Sequence, residues 1–127
     1  MDYQEFRVVS PADGKEYQCR FRMIATAISL RHSDTVDIKF LVNGKPYVVA
    51  LPHAALAQYR KTTGKILTDA DSIEMAGRLL TETLQKEGLR DDRLLTATFD
   101  QTLQLAAALR SVSPLDQPGI VGQMVTN

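Results

Sequence analysis

Between residues 36 and 51 two apolar-alternating runs flank Asn43-Gly44. Asn-Gly accepts positive φ at both central turn positions, so the pattern specifies a two-residue β-hairpin loop. If Val42 and Lys45 flank the turn, Phe40 lies opposite Tyr47, Ile38 opposite Val49 and Val36 opposite Leu51. All six then share one apolar face.

A second hairpin comes before it. Ser10-Pro11-Ala12-Asp13-Gly14 has Pro where a type I turn needs φ near −65° and Gly where a left-handed residue must follow. Counting outward places Val8 opposite Tyr17 and Phe6 opposite Cys19, with Phe21 and Met23 continuing that face. Beyond Met23 the pattern inverts to the even positions Ile24, Ile28 and Leu30, which match Val36, Ile38 and Phe40 across the turn at Arg31-His32-Ser33-Asp34. A strand changes face only by gaining a residue, so a β-bulge is predicted within 22–25. The expectation is an α+β domain built on a four-stranded antiparallel meander, with strands near 4–9, 15–30, 35–42 and 45–51.

Pro52 suits the first turn of a short helix carrying Leu56 and Tyr59 and stopped by Thr62-Thr63-Gly64. A longer helix follows, capped by Thr68 or Asp69, with Asp71 and Glu74 near its start. Its apolar stripe is Ile73, Ala76, Leu80 and Leu84, and Gly88 ends it. Residues 93–110 admit two readings. Leu95, Phe99, Thr102, Ala106 and Leu109 form one helical stripe, which is preferred; alternatively 93–99 is a fifth strand and Asp100 caps a helix from Gln101 to Arg110. Arg78-Leu79-Leu80-Thr81 recurs as Arg93-Leu94-Leu95-Thr96, too short a match to be a repeat. Two or three helices therefore cover one face of the sheet. The domain runs over 1–112, and 113–127 forms an arm or tail.

At 127 residues the chain is long enough for one core without disulfide or metal. The single Cys19 suits a reducing compartment. The amino end has neither the basic start nor the apolar run of a signal peptide, and no segment approaches the roughly 20 apolar residues that span a bilayer. A cytoplasmic protein without membrane contact is expected. Net charge is zero, yet residues 1–65 hold ten Lys or Arg against six Asp or Glu, and 66–127 hold five against nine. Such a split could steer an anion to the first half, although acidic helix starts produce the same asymmetry.

Chemistry is sparse. Cys19 alternates inward, where an apolar setting makes a thiol inert. His32-Ser33-Asp34 contains the residue types of a triad, but turn neighbours cannot align nucleophile, base and acid. Asp69, Asp71 and Glu74 are helix-start carboxylates, the acid spacing of a calcium loop is missing, and the glycines form no phosphate loop. Neither a metal nor a cofactor is expected. Three places remain. The outer sheet face collects Arg7, Arg20, Arg22 and Lys39, a patch for a small anion or nucleic acid, though no aromatic joins it for base stacking. His53 stands at a strand-to-helix junction, with Tyr59 two turns on, as the candidate enzymatic position. Ile120, Val121, Met124 and Val125 make the arm apolar enough to dock on a second copy or another protein. The expected function is a non-enzymatic interaction or regulatory module that self-associates as a homodimer. Anion binding on the outer face and an enzyme site near His53 are the alternatives.

Overall fold

A computed structural model describes residues 3–27 and 34–112, with side chains at 3–25 and 34–109. Five strands, β1 (Glu5–Val9), β2 (Glu16–Ala27), β3 (Thr35–Val42), β4 (Lys45–Pro52) and β5 (Leu94–Thr96), form one sheet in sequence order. The first four make an antiparallel meander, and β5 joins β4 in parallel. Helices α1 (His53–Thr63) and α2 (Asp69–Glu87) lie between β4 and β5, and α3 (Phe99–Val112) follows.

Both hairpin registers follow from their turns. Phe40 pairs with Tyr47, Ile38 with Val49 and Val36 with Leu51, while Val8 pairs with Tyr17 and Phe6 with Cys19. Asn43 and Gly44 hold φ of 52° and 82°, the pair of left-handed values that the turn requires. Asn43 does more than turn the chain: its Oδ1 accepts from the Gln18 N–H at 2.8 Å, tying the β3–β4 hairpin to β2. The bulge falls at Arg22, since Phe21 pairs with Phe40 and the next pair is Met23 with Lys39. Because the extra residue precedes Met23, that side chain points outward and is 46% exposed, contrary to its expected inward position, and Ile24 takes the inner face. Ile28, Leu30 and the turn residues 31–33 lie outside the described residues.

Of the two readings of 93–110, the structure takes the strand. The Val48 N–H donates to the Arg93 carbonyl and the Ala97 N–H to the Ala50 carbonyl, which seats β5 against β4. The cap of α3 is Thr98 rather than Asp100: its Oγ1 accepts from the Gln101 N–H at 3.0 Å while Gln101 Oε1 accepts from the Thr98 N–H at 2.9 Å. Phe99, expected in the helical stripe, is 43% exposed. Thr68 caps α2 through the same reciprocal bonds with Asp71, and Gly64 and Gly88 end α1 and α2.

All three helices pack on the inner face, with α2 reaching β1 through β4. Ile38, Phe40, Val42, Tyr47, Val49 and Leu51 are fully buried there. Each contributes on the order of 1.5–3 kcal/mol by leaving water. Phe40 meets Phe6 and Phe21 edge to face at ring-centroid separations of 5.8 and 6.3 Å. Gly77 matters for a different reason from the turn glycines. The Tyr3 ring lies against it, and a Cβ at that position would overlap the ring.

Candidate functional site

α1 shows two faces to the molecule. Ala55 and Tyr59 are buried in the core. His53, Leu56, Ala57, Arg60 and Lys61 line a cleft of about 660 Å³ on the other side. At roughly 100° per residue these five fall within an arc of about 140°, and the two core residues lie opposite it. One short helix thus serves as both core and wall.

The facing wall is the far end of the sheet, with Ile24 and Ala25 from β2 and Val36 from β3. The third side is the α1–α2 connection, Ile66 and Leu67, followed by Asp69 and Ser72 on α2. The floor is therefore aliphatic. The rim is mainly basic, with Arg60 and Lys61 as its cations and His53 beside them against the single acid Asp69. His53 and Arg60 are seven residues apart, about 10 Å along the helix axis, with Leu56 and Ala57 between them. Arg60 and Lys61 occupy the last turn of α1, at the negative end of its dipole. Neither forms an ion pair among the described residues, whereas Arg7, Arg78 and Arg90 all do. A cavity of this volume with an apolar floor and a few charged groups has the general build of a small-ligand site.

The expected site residues separate here. His53 lines the cleft and is exposed, but Tyr59 is turned away into the core and is 6% exposed. The two are not brought together. Arg60 and Lys61 suit the negative end of the α1 dipole and also line the cleft. The signal that marks them is the 53, 56, 57, 60, 61 spacing, a mixed basic and aliphatic stripe distinct from the 55, 59 core stripe.

Arg7, Arg20, Arg22 and Lys39 do share the uncovered face of the sheet. Their field is partly cancelled. Arg7 pairs with Glu16 at 2.9 Å, and Arg20 lies directly across from Glu5. Every sheet aromatic points to the inner face, so the outer face has no stacking platform. Its apolar side chains do not form an unbroken row either, because Lys39 stands between Met23 and Val48 in the cross-strand series Met23, Lys39, Val48 and Leu94.

Nucleophilic chemistry has little to work with. Cys19 is buried and its thiol is pushed up to about 12 by desolvation. Tyr47 is likewise pushed up to about 12 by burial, and its hydroxyl meets no hydrogen-bond partner among the described residues. Among those residues no group of three His, Cys, Asp or Glu could hold a metal ion, and no helix is long and apolar enough to cross a membrane. The arm residues Ile120, Val121, Met124 and Val125 lie outside the described residues. No family model matches the chain, and no curated protein or solved structure matches it either.

Proposed function

We propose that this domain is a non-enzymatic binding module that takes an apolar ligand bearing a negative charge in the α1 cleft. The observation that carries this reading is the single helical stripe that places Leu56 and Ala57 in the wall and His53, Arg60 and Lys61 along the rim. Aliphatic surface supplies the affinity of such a site, and unpaired cations orient the anionic group. The inert Cys19 thiol supports binding over covalent chemistry. A single buried cysteine also supports a reducing, cytoplasmic setting.

Anilinonaphthalene sulfonate, an apolar anion that fluoresces when it leaves water, tests the reading. Saturable binding to the full chain is expected, and Leu56→Glu lowers its affinity by at least about tenfold, the effect of a charge placed on the apolar wall. Arg60→Glu and Lys61→Glu lower it several-fold each, with the remaining affinity less sensitive to salt. Binding indifferent to Leu56→Glu, in a variant whose circular dichroism matches the parent, would sink the proposal.

Self-association through the outer sheet face is the weaker reading on area. The five strands, of 5, 12, 8, 8 and 3 residues, present roughly 570 Å² in projection at about 3.3 Å per residue and about 4.8 Å between strands. A standard interface takes about 800 Å² from each partner. Two copies face to face would also oppose the same four cations.

A further inference from the structure

We infer that the cleft's own occupant is the segment 113–127 of the same chain, held in place as a tethered competitor for the external ligand. This rests on the reading of the cleft as a site for an apolar anion. The segment has that chemistry. It carries Ile120, Val121, Met124 and Val125, one carboxylate at Asp116, and no Lys or Arg. The cleft offers the complement in an aliphatic floor and a rim of three basic residues against one acid.

Connectivity favours the same pairing. The segment leaves from α3, and α3 packs against α1, the helix whose other face forms the cleft wall. Fifteen residues reach up to about 50 Å when extended, several times the roughly 16 Å length of α1, so distance is no obstacle. Tethering then selects the chain's own segment over one from a second copy. Covalent attachment over a span of this length gives an effective concentration around millimolar, far above micromolar protein in solution. The sheet edges are poorer hosts. β5 is three residues long, and β1 offers backbone pairing without a matching charge.

An intrinsic segment affinity near 0.1 mM, set against a millimolar effective concentration, weakens an outside ligand by about tenfold. The test therefore uses the full chain. Ile120→Asp with Val121→Asp should bind anilinonaphthalene sulfonate about tenfold more tightly than the parent, and a synthetic peptide of residues 113–127 should displace the probe from that variant. Light scattering should report monomers for both, with probe affinity independent of protein concentration. Equal probe affinity in parent and variant, a peptide that does not displace the probe, or a difference that grows with micromolar protein concentration each overturns the inference. Leu56→Glu separates the two levels. If it abolishes probe binding while the segment substitutions change nothing, the cleft is a site and the segment is not its occupant; if it changes nothing, the site itself is lost.

Discussion

Phe40 and Leu41 are neighbours on β3 and occupy different surroundings. Phe40 is fully buried between Phe6 and Phe21 under the helices. Leu41 faces outward on the uncovered side, in register with Arg20 and Pro46. The inner face is a dense aromatic and aliphatic layer whose pairings follow from two turns. The outer face mixes Arg7, Arg20, Arg22, Lys39, Glu5, Glu16 and Asp37 with isolated apolar side chains such as Met23 and Leu94. One face specifies the fold, and the other mainly tolerates it. The cleft lies at the boundary, where Ile24 and Val36 of the inner layer run past the cover of the core and meet the second face of α1.

The largest expected effect breaks this contrast at adjacent residues. Phe40→Ala should cost about 3–5 kcal/mol, because it removes a buried ring and leaves a cavity that its edge-to-face partners cannot close. Leu41→Ala should cost about 1 kcal/mol or less. Urea unfolding of the two variants measures both. Comparable losses would mean that the outer face is covered too.

Gly77→Ala comes next. α2 is close enough to Tyr3 that a Cβ overlaps the ring, including atoms near its backbone attachment, so a rotamer change alone gives no escape. Overpacking of this kind costs about 1–3 kcal/mol, more than the roughly 1 kcal/mol that Ala gains over Gly in a helix. A net loss of stability together with an altered Tyr3 signal by NMR is expected. A stabilised variant would show that Tyr3 does not cover α2 in solution.

Why was so much of the inner layer legible and so little of the site? The hairpins are local: Asn43-Gly44 and Pro11 to Gly14 fix turn geometry, and alternation carries the register outward from each. The helix limits are local as well, through Thr68, Gly64 and Gly88. Residues 78–81 and 93–96 show where local reading stops. Both read Arg-Leu-Leu-Thr, yet the first is all helix and the second is strand over Leu94–Thr96. The first lies mid-way between a cap and a stop. The second is squeezed between Arg93, at a left-handed φ of 51°, and the Thr98 cap, too short a span for a helix and beside the open edge of β4. The cleft was hidden for the same reason. Its α1 stripe is local, but Ile24, Val36 and Leu67 reach it only through the fold.

Deleting Arg22 sharpens the contrast with a smaller effect. Arg22 is the extra residue of the bulge, and Phe21, Met23 and Ile24 already pair in order with Phe40, Lys39 and Ile38. Without it β2 alternates regularly, keeping Met23 outside and Ile24 inside. Stability should change by about 1 kcal/mol or less, the scale of an ordinary surface substitution. A single-residue insertion after Ile38 should unfold the domain, because it sends Phe40 and Val42 to the wrong face. If the Arg22 deletion unfolds the protein, the bulge has a structural role that its register does not reveal.

The smallest effect concerns the turn that joins β1 to β2. Asp13 accepts hydrogen bonds from the Tyr17 hydroxyl and, at 2.9 Å, from the Lys15 N–H. The Tyr17 bond, and after it the Lys15 bond, hold the Asp13 carboxyl below its ordinary value near 3.8. The same bond, followed by burial, raises the Tyr17 phenol above 10.0. For Asp13 the folded chain binds fewer protons than the unfolded chain, so its contribution is complete above the ordinary carboxylate value and is lost as pH falls through the folded value. Tyr17 has the opposite sign, complete below 10.0 and lost as pH rises through its folded value. Tyr17→Phe keeps the buried ring and removes only the bond. The difference in melting temperature between parent and variant should therefore form a plateau from about pH 4 to pH 10 and shrink at both ends. Asp13 is exposed, so solvent screening keeps the plateau low. A difference that stays constant into acid would mean that the hydroxyl bonds elsewhere, and that this turn is held by its backbone geometry alone.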